Sequence, residues 1–417
     1  MRAVLWLLAL FGIASAIALF AGNNQGTVTV FWPPYRIDVS LNLALLIAVA
    51  LFAFIHAVLG ALAALFDLPR QAQRWRNQQK ERSTYAFLLD GFAHLTAGRF
   101  IRARKSAESA IAQEQSLKDA GVKLAGAAQL RTIAHLLAAE SAQALQDRAA
   151  REEHLRLALE DASTREAQET HEGALMRAAR WSLQDREPEA ALKWLKDMPQ
   201  GAARRTLALR TRLKASRLAG LSAEALDTAR LLAKHRAFSP EAAQSIVRGL
   251  AIDLLNGAYD TAQLMRAWQS LEPAERQMPE VAIHAAQRLA ALGGDAQLAR
   301  EWLLPVWERY ATLGDSLKTR LAQALEESFE SLDGVWLARI EAAQRANPRD
   351  GTLQYLAGMA CMHRQLWGKA QQLLTQAALG LQDARMHRKA WRALAQLAEQ
   401  RGEDAKAGEA WKRAASD

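Results

Sequence analysis

The imidazole and thiol side chains, the ones best suited to ligate zinc or haem or to trade protons near neutral pH, are few: 9 histidines and 1 cysteine. The nearest approach to a ligand pair is Cys361 with His363. Residues two apart on a helix point to different faces, so these two do not converge. His387 stands further along. His56 lies inside an apolar run, where an ionisable residue is a functional candidate by default. No second histidine or carboxylate accompanies it, and a hydrogen bond to a neighbouring helix or a place near the membrane interface accounts for it better. One cysteine builds neither a disulfide framework nor a cysteine metal module within one chain. There is no G-x-G-x-x-G after a strand, no P-loop, no H-E-x-x-H and no nucleophile elbow. No catalytic, metal or cofactor site is expected, and the chain is not expected to be an enzyme. Haem contact through His56 or the His363 region is the alternative these residues leave open.

The elements that must position any function divide sharply by composition. Up to Phe66 the chain is mostly apolar; beyond Asp67 it is rich in Ala, Leu, Arg, Glu and Gln. Those residues favour helices because they lose little side-chain freedom there. An all-α protein follows. The net charge is +9, but 44 acidic residues are interspersed with the basic ones and no basic groove with interleaved aromatics is visible. Nucleic acid is therefore not an expected partner.

Ala3–Ala21 carries no charge, and its length at helical rise is roughly 28 Å, about the hydrocarbon thickness of a bilayer. Its apolar run continues past the small-residue stretch Ala14-Ser15-Ala16, which argues against a cleaved signal peptide. Leu41–Phe66 is a second apolar run long enough to span with tilt. Between them, Thr27–Trp32 and Tyr35–Ser40 alternate in polarity around Pro33-Pro34, which predicts a small extended ribbon at the membrane surface. Trp32 and Tyr35 suit the headgroup region. After the second run come Arg70, Arg74, Arg76, Lys80 and Arg82, against Arg36 alone in the loop. The positive-inside rule then places both termini in the cytoplasm and loop 22–40 in the periplasm of a multi-pass protein. The basic cluster is expected to face anionic lipid. Residues 1–82 thus read as an anchor, with helices at about 3–21 and 41–66 and a basic juxtamembrane segment 67–82.

Residues 83–417 read as a tetratricopeptide-like α-solenoid. That repeat is a helix pair of about 34 residues, with small residues where its two helices approach and large ones between successive pairs. Phe87, Gly91, Gly98, Phe100, Ala103 and Ala110 match the pattern in register, although Asp90 and His94 replace its leucine and tyrosine. Gly358, Trp367, Ala370, Leu374 and Ala377 form a second match. Trp391, Leu394, Ala407, Trp411 and Ala414 form a third. The middle is more degenerate: Ala190 and Trp194 keep one spacing, and Ala219-Gly220, Gly257 and Gly293-Gly294 look like turns between helices. Roughly eight to nine stacked pairs are expected, with an extended surface as the functional unit and other proteins as partners.

The first hundred residues resemble the HemY family of proteobacterial inner-membrane proteins. The resemblance rests on Gly26-x-Val28-x-Val30, Tyr35-x-Ile37 and Ser40 after a first membrane helix. A second membrane helix, a basic stretch and the turn Leu95-x-x-Gly98-Arg99-Phe100 follow in order. It implies a tetratricopeptide domain running to the C-terminus, a place in the bacterial cell inner membrane and an association with a late step of protohaem IX biosynthesis. An unrelated flavin-dependent protoporphyrinogen oxidase shares the family name, but its dinucleotide fingerprint is missing here. The expected role is a non-catalytic scaffold that gathers haem-biosynthesis enzymes. The alternatives are a general envelope tetratricopeptide adaptor or regulator and a haem or porphyrin carrier.

Overall fold

The structure is a computed structural model that describes residues 11–15, 17, 18, 22, 25–161 and 167–416. Of the expected first membrane helix, residues 11–15, 17 and 18 are helical, and the remainder lies outside the described residues. The chain divides into two compact units, Met1–Gln168 and Glu169–Asp417.

The first unit opens with an antiparallel hairpin, β1 (Thr27–Trp32) and β2 (Tyr35–Ser40), in which Thr27 pairs with Ser40 and Trp32 with Tyr35. The expected ribbon is thus a two-stranded sheet turning at Pro33-Pro34, whose peptide bond is cis. Asp38 fastens it, accepting from Thr29 Oγ1 at 2.6 Å. Phe31, Trp32 and Tyr35 are all exposed.

Ser40 ends the hairpin and begins α1 (Leu41–Thr96), its hydroxyl accepting from the Leu43 amide. This N-cap satisfies one of the orphan donors of a helix start. α1 is 56 residues long, roughly 84 Å at helical rise. The second membrane run, the basic segment 67–82 and the first repeat helix are therefore one helix, with no break at residue 82. Leu41–Leu62 is wholly unburied, with a mean hydropathy of 2.6. It is the one stretch among the described residues long and apolar enough to cross a membrane. Beyond it α1 packs with α2 (Phe100–Asp119) and α3 (Ala127–Ala144), and α3 in turn packs with α4 (Arg148–Asp161).

The second unit continues as helix pairs: α5 (Gln168–Gln184) with α6 (Pro188–Lys196), then, after the single turn α7 (Gln200–Ala203), α8 (Thr206–Leu218) with α9 (Ser222–Lys234). α10 (Pro240–Asn256) and α11 (Thr261–Ser270) follow, then the short α12 (Pro273–Arg276). Next are α13 (Pro279–Ala291) with α14 (Ala296–Trp307), then α15 (Asp315–Glu326) and α16 (Gly334–Ala346), both of which pack on the helix that follows them. α17 (Gly351–His363) with α18 (Trp367–Gly380) and α19 (Ala384–Gln400) with α20 (Asp404–Ser416) close the chain. One continuous apolar core runs from Leu209 to Ala410.

A single turn recurs through both units. Gly98 adopts φ +71°, its amide bonds the Leu95 carbonyl, and the Arg99 amide reaches back to His94. This left-handed closure satisfies the last carbonyls of a helix and restarts the chain in the opposite direction. The same pair of bonds recurs at Gln146, Arg186, Gly220, Gly293, Gln365 and Gly402, each with positive φ. Gly257 differs: its φ is −69°, so it ends α10 without a left-handed residue. Five residues after the left-handed position stands a buried alanine in five of these turns: Ala103, Ala191, Ala225, Ala370 and Ala407. Small size there lets the second helix of a pair close on the first.

Candidate binding surfaces

The close approaches have measurable geometry. A Cβ added at Gly91 of α1 would sit 2.5 Å from Leu137 Cδ2 of α3. At Gly358 of α17 it would sit 2.7 Å from Leu374 Cγ and 3.2 Å from the Leu374 amide nitrogen of α18. Ala103, Ala370, Leu394 and Ala407 are buried at such seams. Phe87 and Phe100 are half-buried, Trp391 packs on the edge of the core, and Trp367 and Trp411 keep over a third of their surface exposed. Trp411 donates its indole N–H to Glu399 at 2.7 Å. Trp268 and Trp302 stack 4.5 Å apart in the core, where such rings wedge successive pairs.

Of the basic cluster, Arg74, Arg76 and Arg82 project from α1 into solvent, with exposed Trp75 between the first two. Arg70 is on the same helix, and its side chain lies outside the described residues. Lys80 differs from the lipid-facing expectation. It is half-buried and donates to Ser116 Oγ of α2 at 2.8 Å, so it fastens the anchor helix to the first repeat.

The histidines and cysteine singled out from sequence do not come together. Cys361 is fully buried, and burial pushes its thiol up to about 11, which keeps it protonated and unreactive. His363 is exposed, edge-on to Phe329. His387 Nε2 lies 3.0 Å from the Ala378 carbonyl and 3.2 Å from the Trp391 indole nitrogen. His56 stacks on Phe52 along the apolar part of α1. Among the described residues no group of three or more His, Cys, Asp or Glu is arranged to hold a metal.

The structure shows one histidine pair that sequence reasoning missed. His135 of α3 and His154 of α4 bring their Nδ1 atoms to 3.1 Å. Burial lowers the pKa of His154, only partly offset by Glu108. Residue type gave no signal for it, because the turn that sets α3 against α4 is made by Gln146 rather than by glycine.

The second unit also holds a cavity of about 920 Å³ between α9, α10 and α12. Its wall is structural. Arg230 grips Glu275 in two bonds of 2.8 and 2.6 Å, and Glu275 in turn accepts from the Glu272 amide to cap α12.

Recurring left-handed turns and buried small residues at fixed offsets define a helical-repeat protein, whose first repeat helix is continuous with a stretch long and apolar enough to cross a membrane. Residues 26–146, from just before the hairpin to the α3–α4 turn, match the family model described as HemY protein N-terminus. Through this region, which is under a third of the chain, the sequence is similar to the N-terminal part of the HemY family. No curated protein matches the sequence. Three solved structures are similar at 14% identity. One is a chain of Naa15/Naa10 bound to HypK-THB, with TM-score 0.26, covering 78% of this chain and 57% of that one. Another is a chain of the APC/C hetero-tetramer Cut9-Hcn1, with TM-score 0.28 and coverage of 80% and 66%. The third is the P58(IPK) TPR domain, with TM-score 0.23 and coverage of 76% and 98%. The chain thus spans less than two thirds of the first two. At these scores the likeness bears on neither partners nor activity, and the repeat architecture stands on the turns themselves.

Proposed function

We propose that this chain is a non-catalytic scaffold that binds enzymes of a late step in protohaem IX synthesis and holds them at the bacterial inner membrane. The observation that carries the reading is the unbroken helix α1. Its apolar part suits a bilayer, and its other end is the first helix of the repeat stack, packed through Gly91 and Lys80. One helix thus joins the two, so partners held by the repeats packed on α1 would be kept near the membrane. That suits hydrophobic intermediates, which are best passed over short distances. The haem assignment rests on the family of the N-terminal region. Arg74, Arg76 and Arg82 beyond the apolar stretch support a cytoplasmic repeat domain. The scaffold needs no cofactor of its own.

Complementation of a deletion strain, with porphyrin intermediates measured, tests the reading. A scaffold acts through broad surfaces, so single His→Ala changes at His56, His363 or His387 are expected to restore flux nearly fully. If one such variant were folded, abundant and as defective as the deletion, a haem-ligand or catalytic role would replace the scaffold.

A further inference from the structure

The longest run of uncompensated charge in the second unit lies on and just before α8. Between Arg204 and Leu218 stand Arg204, Arg205, Arg210, Arg212, Lys214 and Arg217, with no acidic residue. Arg205 pairs with Glu172, and Arg212 turns toward the Leu195 carbonyl. Arg210, Lys214 and Arg217 are exposed and, among the described residues, have no ion-pair partner. Arg210 spends one N–H on the Ala237 carbonyl and stacks over Phe238. The three cations line a cavity of about 500 Å³ floored by Leu213, Phe238 and Ile246. Leu207 and Leu218, 56% and 58% exposed, bracket them on the same helix. Spacings of three, four, seven and eleven residues put all of these on one face.

We propose that this face docks an acidic amphipathic helix of a partner protein, carboxylates meeting Arg210, Lys214 and Arg217 while its large apolar side chains enter the Phe238–Ile246 hollow. This rests on the reading that the repeats bind proteins and names the chemistry of one partner. The layout of the charges selects the occupant. Arg210 to Arg217 extends roughly 10 Å along the helix axis, a row that matches carboxylates repeated every three or four residues on a second helix. A lipid phosphate presents its charge at one point and would call for converging cations. The apolar floor and the two bracketing leucines supply what a charged row alone lacks, a place for hydrophobic anchors.

The test uses the full chain in a neutral detergent and a fluorescent helical peptide with glutamates at positions i, i+4 and i+7 and leucines between them. Binding is followed by anisotropy. The wild-type chain is expected to bind this peptide, with affinity falling as salt is raised. It should bind the Glu→Gln peptide at least tenfold more weakly. Lys214→Glu with Arg217→Glu, both exposed positions, should cost at least tenfold and restore binding to a peptide carrying lysines instead. Equal binding of the Glu and Gln peptides, or no effect of the double reversal in a chain of unchanged helicity, would overturn the proposal. So would displacement of the peptide by phosphatidylglycerol added to the micelles, since the occupant would then be lipid. A chain that binds the peptide here yet captures no protein from membranes leaves this site standing and sinks the scaffold. A chain that captures proteins but ignores the peptide does the reverse.

Discussion

Gly358 offers the sharpest test of how the repeats close. It is buried in α17, where a methyl group would sit 2.7 Å from Leu374 Cγ, 2.9 Å from Cδ2 and 3.2 Å from the Leu374 amide nitrogen. Carbon atoms rest at about 3.5–4.0 Å, so the overlap is near 1 Å and one of its partners is backbone. Relief requires α18 to move. Overpacking of this kind costs about 1–3 kcal/mol, while replacing a mid-helix glycine by alanine returns about 1 kcal/mol of propensity. Gly358→Ala should therefore lose up to about 2 kcal/mol net, and the melting temperature of the second unit should fall by up to about 8 °C. Leu374→Ala, at a fully buried position, should cost about 2–5 kcal/mol through the void it leaves. In that background the methyl at 358 enters the void, so Gly358→Ala should become neutral or stabilising. The coupling is then about 1–3 kcal/mol in favour of the double variant. Thermal melts of the full chain in detergent, followed by circular dichroism, measure all four corners. Additivity within about 0.5 kcal/mol, or a stabilising Gly358→Ala alone, would refute the steric account of this seam.

Glu275→Ala should destabilise the second unit by about 2–3 kcal/mol, because it strips the 22% exposed Arg230 of its buried partner and uncaps α12; urea titration checks this. His154 should make the first unit acid-sensitive. Its folded pKa lies below the ordinary 6.5, so the unfolded chain binds the proton more readily and stability rises with pH. That contribution is complete above about pH 6.5 and is lost as pH falls through the lowered folded value. Two protonated rings would also oppose N–H to N–H across the 3.1 Å contact with His135. Melts between pH 5 and 8 should show His154→Gln flattening the slope. His284, lowered by burial and by Arg320 and Arg288, contributes with the same sign and leaves a residue of it. A C-terminal alkaline phosphatase fusion should be inactive in intact cells if the repeats are cytoplasmic as proposed, since that reporter needs the periplasm; activity would reverse the orientation.

Much of this architecture was legible wherever glycine marks a turn. Gly98, Gly220 and Gly293 need left-handed backbone, which glycine adopts without steric cost, and each was visible as a break. The middle is degenerate because Gln146, Arg186 and Arg236 hold the same conformation at some cost, leaving no signal in residue type. The continuity of α1 through residue 82 escapes the sequence for a different reason. Polarity changes at Asp67, but Gln71 to Arg82 are strong helix formers, so the backbone continues where the hydropathy stops. Lys80 was read as lipid-facing from its charge alone, whereas its place on α1 was set by the approach of α2. The basic row on α8 was hidden among neighbouring ion pairs, and only the folded arrangement shows which cations remain uncompensated.

The central claim is that the repeats hold other proteins at the membrane. Affinity capture of the full chain from gently solubilised inner membranes, quantified against a chain ending after α1, addresses it directly. The account predicts enrichment of enzymes acting late in protohaem synthesis, dependent on residues 97–417. Recovery of the chain alone, or of the same proteins with the truncated control, would contradict it.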